Sequence, residues 1–418
     1  MKGIVIKNIS IGDELLIGQV INTNAAWLGE HLSDAGFQMD STLTIGDSEK
    51  AILDAFNACM DADLVLVTGG LGPTADDITK PTVCKFFNTE LEFCQSAYDN
   101  LVSLFRRRGF QMSERNRGQA LLPKSCEYIP NTYGTAPCMW LEKNGVAFAF
   151  MPGVPFEMKG IFTDELLPRI KERFQTIPYE KRVVMTTGIG ESFLADKIKD
   201  WEDALPDFLS LAYLPQYGMV RLRLSGRHED ARLLHETLND EVAKLAALIP
   251  EYIFAMQDQP IERTVFDLLI YKGMTFASAE SCTGGNIAHV FTLIPGSSEV
   301  FKGAAVTYAT SMKTKVLGVP AELIEKYGVV SQEVVEHMVT GVRDLMEADF
   351  GVATTGVAGP SGGTDENPVG TVWIGVASSS GVVSKRFNFG KDRENVINRA
   401  TIAAYELLRE SILASSVS

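Results

Sequence analysis

The amino-acid sequence predicts an α/β protein built from three units: a three-layer α/β domain, a small α+β middle domain and a second α/β domain. Three observations carry this reading. The chain has 418 residues, more than one hydrophobic core usually organises. Near both ends, apolar strand-like runs alternate with stretches whose apolar residues recur at helical spacing, a βαβ order that implies a parallel sheet covered on both faces. Between them the order becomes β-α-β-β-α-β, the pattern of a compact α+β module.

In the first unit KGIVIKNIS (2–10) reads as a strand. NTNAAWLGEHLSDAG (22–36) has Trp27, Leu28 and Leu32 at helical spacing with Gly36 as a stop, SEKAILDAFNACM (48–60) is a second helix, and DADLVLVTGG (61–70) is a buried strand. MWLEKNGVAFAFMPG (139–153) reads as a hairpin around Lys143, Asn144 and Gly145, and PFEMKGIFTDELLPRI (155–170) closes the unit. The boundaries drawn are 1–170, 171–257 and 258–418. The middle unit holds strand RVVMTTG, helix ESFLADKIKDWEDAL, strands FLSLAYL and MVRLRLSG, helix EDARLLHETLNDEVAKLAALI and strand EYIFAM. The last opens with helix ERTVFDLLIYKGM and strand TFASAES, then a helix from GGNIAHVF and strand GAAVTYAT. A helix over SQEVVEHMVTGVRDLM, strand DFGVATTGVAG, two further strands and a final helix NVINRATIAAYELLRESI complete it. No repeat is visible.

Composition excludes several classes. With 45% hydrophobic and 22% charged residues and no apolar run near the ~18 needed to cross a bilayer, neither a disordered nor a membrane-spanning chain is expected. The opening segment lacks the apolar core and cleavage site of a signal peptide, so a cytoplasmic protein is expected. A net charge of −15 repels a phosphate backbone, so no direct nucleic-acid contact is expected. Arg106, Arg107 and Arg108 form the best basic run and read as a solvated helix face. The six cysteines contain no C-x-x-C pair and the five histidines are scattered, which indicates neither a zinc site nor a redox motif.

Three loops rich in glycine and hydroxyls fall where strands end, which is where open α/β sheets bind ligands. They are TGGLGPTADDIT (68–79), AESCTGG (279–285) and TTGVAGPSGGTDENPVGT (354–371). Their glycines, Gly69, Gly70 and Gly72, then Gly284 and Gly285, then Gly356, Gly359 and Gly362, let backbone N–H groups approach an anion. None matches a nucleotide fingerprint, and each alone is as readily a tight turn. Asp76 and Asp77 follow the first loop, while Asp13, Glu14 and Asp47 sit at other strand ends. Gathered at one sheet edge they would suit Mg²⁺ holding phosphate oxygens, and helix capping is the plainer alternative.

In AESCTGG a serine and a cysteine stand side by side. A cysteine nucleophile needs a histidine or a helix N-terminus to hold its thiolate; a serine needs a base. His289 is roughly 12 Å from Ser281 along a helix at about 1.5 Å per residue, too far for a hydrogen bond. Lys313, after a strand end that carries Tyr308, is an alternative base, since burial lowers a lysine's pKa. N–H groups near Thr283 and Gly284 would then form an oxyanion hole for amide hydrolysis. Against this stand the commoner fates, a solvated lysine and a small buried Cys282.

Taken together, GDELLIGQVINTNAAWL, VTGGLGPTADDITK and MPGVPFEM with AESCTGG, VTYATSMK and GVAGPSGGTDENPVGTVW resemble the CinA family of competence/damage-inducible proteins. The resemblance implies a molybdopterin-binding-like (MoCF) N-terminal domain with metal-dependent ADP-ribose pyrophosphatase activity. It also implies a C-terminal amidase, needing no cofactor, that converts nicotinamide mononucleotide to nicotinate mononucleotide. Ser281 then stands as nucleophile, with Tyr308 and Lys313 as partners and Arg393 as a phosphate ligand. Thr283, Gly284, Gly285, Gly356, Gly359 and Gly362 stand as substrate-binding positions. In the first domain Gly69, Gly70, Gly72 and Thr74 would hold pyrophosphate, with a divalent metal on Asp76, Asp77 and Asp47. A homodimer is expected. The chain departs from the family where S-N-E-A-K reads A-T-S-M-K and where Asn367 replaces a lysine. Two rival readings are a non-catalytic molybdopterin or nucleotide binder and a competence-related accessory protein.

Overall fold

The computed structural model describes residues 4–74 and 77–415, the side chains of Glu114 and Arg115 excepted. The candidate ligand Asp76, and Lys2 and Gly3 of the first expected strand, lie outside the described residues. Contacts divide the chain into two compact units, residues 1–180 with 227–234 and residues 181–226 with 235–418.

The first unit contains β1 (Ile6–Ile11), β2 (Met39–Ile45), β3 (Leu64–Thr68), β4 (Leu91–Phe93), β5 (Leu121–Pro123), β6 (Glu127–Ile129), β7 (Cys138–Lys143) and β8 (Val146–Met151). Six of these form a sheet of order β2-β1-β3-β8-β7-β6, and β4 pairs β5 separately. β1, β2, β3 and β8 run parallel, while β6 and β7 are antiparallel. Every residue of β3 is buried because side chains alternate between two covered faces. Val65 and Val67 join Ile52, Phe56 and Phe148 in one apolar cluster; Leu64 and Leu66 join Leu28, Leu32 and Phe162 in the other. The β7–β8 turn places Asn144 and Gly145 at φ 52° and 87°, the left-handed pair that a tight hairpin favours.

The helical run from Pro155 to Arg173 contains a π turn, Phe162–Leu166, just before Pro168, whose missing N–H interrupts the regular ladder. Between residues 71 and 126 the sequence reading assigned only a helix face at Arg106, Arg107 and Arg108, which form the last turn of helix Gln95–Arg108; helix Thr79–Phe87 and the β4–β5 pair also lie there. Pro81 masks the first of these in the sequence, although proline is tolerated in a helix's first turn.

The middle of the chain forms β9 (Tyr179–Thr187), β10 (Leu209–Gln216), β11 (Met219–Arg227) and β12 (Ile253–Ala255) in the order β10-β11-β9-β12, with helices Glu191–Asp203 and Ala231–Leu248 between them. The final sheet contains β13 (Phe276–Glu280), β14 (Phe301–Val306), β15 (Phe350–Gly356), β16 (Thr371–Ser378) and β17 (Gly381–Asn388), ordered β14-β13-β15-β16-β17. β13, β14 and β15 are parallel. Helix Gln332–Leu345 covers one face through Val335, Met338 and Val339, and helices Ile261–Lys272 and Arg393–Ala414 contribute to the cluster on the other. Val183, Met185 and Met219 of the middle sheet belong to that same cluster, so these segments share a core. Among the described residues no helix is long and apolar enough to cross a membrane.

Candidate active site

β13 is the innermost parallel strand of the last sheet, and it ends on Glu280. The chain turns at once, so Ser281 emerges at the carboxyl edge of the sheet, where its N–H donates to the Thr354 carbonyl of β15 (3.2 Å). Lys313 approaches from helix Thr310–Leu317. It is only 1% exposed, and its Nζ donates to Ser281 Oγ (3.0 Å) and to the Thr307 carbonyl (2.7 Å). Burial lowers the Lys313 pKa, since an apolar surround disfavours the ammonium. The Cys282 thiol is pushed up to about 12, chiefly by its own burial. A thiol so placed stays protonated and is a poor nucleophile. His289 and His337 are absent from the cavity that Ser281 lines.

That cavity is about 310 Å³, bounded by Ser281, Lys313, Tyr308, Arg393 and the loop Gly356–Gly362. Gly356, Gly359 and Gly362 all line it. At Gly356 a Cβ would sit 2.6 Å from the Thr371 carbonyl oxygen, so no larger residue fits between β15 and β16. Arg393 donates through Nη1 to the Gly359 carbonyl and through Nη2 to Tyr308 Oη, both 2.7 Å. Tyr308 is thus tied to the arginine, with no hydrogen bond to Ser281 or Lys313. Asn367 spends its Nδ2 on the Val330 carbonyl (3.0 Å). A larger cavity of about 440 Å³ between Gly188, Gly218 and Arg399 contains no comparable nucleophile and base.

Thr283, Gly284 and Gly285 are not among the residues lining the Ser281 cavity; they shape the loop behind the serine. The Gly284 N–H donates to the Ser281 carbonyl (3.1 Å), so it cannot serve an oxyanion. Of the residues that follow Ser281 in this loop, Cys282 lines the cavity.

Sequence reasoning passed over Glu280. It is fully buried, and its carboxylate accepts from the N–H groups of Gly285 (3.0 Å), Ile287 (3.1 Å) and Ala288 (2.9 Å) and from Thr283 Oγ1 (2.7 Å). Thr283 Oγ1 is also 2.9 Å from Thr354 Oγ1. One carboxylate therefore gathers the start of helix Asn286–Thr292 and the turn that aims Ser281. The available signal was an acidic residue closing a strand of small residues, FASAE. Glu280→Leu leaves three N–H donors and the Thr283 and Ser278 hydroxyls without this acceptor. It is expected to cost roughly 3–5 kcal/mol of stability, read from denaturant unfolding; an unchanged midpoint would contradict this role.

In the first domain Gly69 sits at φ 107° with a would-be Cβ 2.1 Å from the Ile11 carbonyl oxygen, which packs the turn against the end of β1. Gly70 abuts Thr79 in the same way. Asp77 closes the turn: Oδ1 accepts from the Gly72 N–H (2.8 Å), and Oδ2 from the Thr74 N–H (2.9 Å) and the Thr74 hydroxyl. Asp47 and Asp13 exchange backbone-to-carboxylate bonds of 3.0 and 3.2 Å. Burial raises the Asp47 pKa, and the charges of Asp13, Glu14 and Asp77 push it the same way. Among the described residues no group of three His, Cys, Asp or Glu is placed to hold a metal ion. The oxygen donors and mutual repulsion around Asp47 suit a hard divalent cation in charge, whereas both Asp77 oxygens are already engaged.

The fold and these two sheet-edge sites define a multidomain α/β protein with a molybdopterin-binding-like first domain. Residues 7–172 match the family model for a "Probable molybdopterin binding domain", residues 181–255 the damage-inducible protein CinA KH domain, and residues 258–412 the CinA C-terminal domain. A CinA-like protein of Cytophaga hutchinsonii is 42% identical over 405 residues, 97% of each chain. One of Flavobacterium psychrophilum is 42% identical over 411 residues, covering 97% of this chain and 98% of the relative. A crystal structure of the competence/damage inducible protein CihA from Agrobacterium tumefaciens is 35% identical, covering 36% of this chain and 92% of that one, with a TM-score of 0.35. The chain belongs to the CinA family.

Proposed function

We propose that the C-terminal domain is an amidase that hydrolyses nicotinamide mononucleotide to nicotinate mononucleotide and ammonia. The observation that supports it most is the 3.0 Å hydrogen bond from a buried lysine to Ser281 Oγ, in a cavity that Arg393 also lines. With Lys313 neutral, Ser281 Oγ attacks the carboxamide carbon as its proton passes to Nζ. The N–H of Cys282, which lines the cavity, is the donor for the developing oxyanion. The resulting Lys313 ammonium returns the proton to the departing nitrogen, ammonia leaves, and an ester on Ser281 remains. Water, losing a proton to Lys313, attacks that ester; nicotinate mononucleotide departs and Ser281 recovers its proton. Arg393, oriented by Gly359 and Tyr308, supplies the cation for the substrate phosphate. The test is direct: the purified chain given nicotinamide mononucleotide should release ammonia and nicotinate mononucleotide in equal amounts. Neither product would defeat the reading.

The N-terminal domain, on the same proposal, splits the pyrophosphate of ADP-ribose to AMP and ribose 5-phosphate. Asp47 and Asp13 would hold the divalent cation, with Asp76 outside the described residues. When bound, it neutralises pyrophosphate charge. Asp77 keeps the Gly72–Thr74 backbone in place. Adding EDTA is expected to abolish ADP-ribose hydrolysis while deamidation continues unchanged. Hydrolysis that survives the chelator, measured as AMP formed, would remove the metal from the account.

A further inference from the structure

A smaller cavity of about 210 Å³ lies beside the Gly69–Thr74 turn, lined by Asp77, Lys80, Gln119, Leu91 and Leu121 among others. Gln119 is 1% exposed, yet among the described residues neither its Oε1 nor its Nε2 finds a partner. Buried side-chain amides are almost always paired, and one that is not marks a place where a further group completes the bonding. The residue is not loosely placed. Lys80, itself buried, donates to the main-chain carbonyls of Gln119 and Leu121 at 3.3 Å each, which fixes the segment that carries the amide.

A carboxamide offers one donor and one acceptor side by side in a plane, the pairing that glutamine makes with the edge of adenine. The cavity walls suit a ring. Leu91 and Leu121, on the paired strands β4 and β5, are large apolar side chains left 39% and 37% exposed. The volume is below the roughly 300–1,000 Å³ of pockets that enclose a whole drug-sized ligand, so the space takes one flat ring system, with the rest of a nucleotide passing over the glycine turn.

We propose that this cavity is a base-recognition subsite, in which Gln119 pairs with the amidine or amide edge of a flat heteroaromatic ring packed against Leu91 and Leu121. The inference rests on the nucleotide reading of the N-terminal domain and names the part of the substrate that the domain selects. Adenine and pterin both present such an edge, and the experiment separates them.

The full chain is titrated calorimetrically with AMP, ribose 5-phosphate and free pterin, for the parent, Gln119→Leu and Gln119→Glu. The parent should bind AMP more tightly than ribose 5-phosphate. Gln119→Leu should weaken AMP roughly tenfold or more without changing ribose 5-phosphate. Gln119→Glu, which keeps the acceptor but loses the donor, stands in if the leucine variant does not fold. Pterin binding that depends on Gln119, with no AMP binding, would support the subsite and assign it to pterin. Equal affinity for AMP and ribose 5-phosphate, unchanged binding in both variants, or binding of neither AMP nor pterin would overturn it. ADP-ribose hydrolysis by the parent, followed in parallel, shows whether the nucleotide reading falls with it or stands alone.

Discussion

Lys313→Met is expected to lower deamidation of nicotinamide mononucleotide by roughly a thousandfold, the usual contribution of a positioned general base, while the chain stays folded. Methionine fills the space of the lysine stem and removes a buried amine whose charged form is costly there; what it takes away is the proton acceptor 3.0 Å from Ser281 Oγ. The pH dependence follows from the sign of the shift. Burial lowers the Lys313 pKa from 10.5, so the folded chain holds the reactive neutral amine at lower pH than an exposed lysine would. Deamidation should climb with pH through that depressed value. Between it and 10.5 the unfolded chain binds more protons than the folded one, so this group also makes the fold more stable as pH rises. Rate–pH profiles of the parent and of Lys313→Met test both parts; a variant that kept more than a small fraction of parent activity, or the same rising limb, would exclude Lys313 as the base.

Ser281→Ala should reduce turnover by about ten-thousandfold or more, the scale on which loss of a nucleophile falls. Binding of nicotinamide mononucleotide should hardly change, because Arg393 and the Gly356–Gly362 loop remain. The split matters: a fall in affinity with turnover preserved at saturation would make the serine a binding group. The change removes a single oxygen from a turn whose shape is set by Glu280 and by the Thr354 carbonyl, so the loop should keep its course.

Much of this was legible in the chain because its signals are local. The buried run LVLVT and the alternation around Asn144-Gly145 report strands through their own residues, and AESCTGG and VTYATSMK place a serine and a lysine at strand ends. What brings Lys313 onto Ser281 is the parallel pairing of β13 with β14, which joins residues about thirty positions apart; periodicity carries no such information. Glu280 was hidden because its partners are backbone N–H groups rather than a cation. Asp77 was legible as a carboxylate after a glycine turn, but whether it caps or ligates depends on where its oxygens point, and they point to Gly72 and Thr74. The Gly284 N–H, expected to face an oxyanion, turns back to the Ser281 carbonyl, since glycine at φ 64° lets the loop close on itself. Gln119 gave no signal, because an unpaired amide exists only once the fold has buried it.

The measurement that bears most directly on the central claim is ammonia release from nicotinamide mononucleotide by the parent, Ser281→Ala and Cys282→Ala at equal folded concentration. The account predicts brisk release by the parent, release near the parent rate by Cys282→Ala, whose thiol is held protonated by burial, and none above background by Ser281→Ala. Retained release in Ser281→Ala together with loss in Cys282→Ala would contradict it and move the nucleophile to the neighbouring residue.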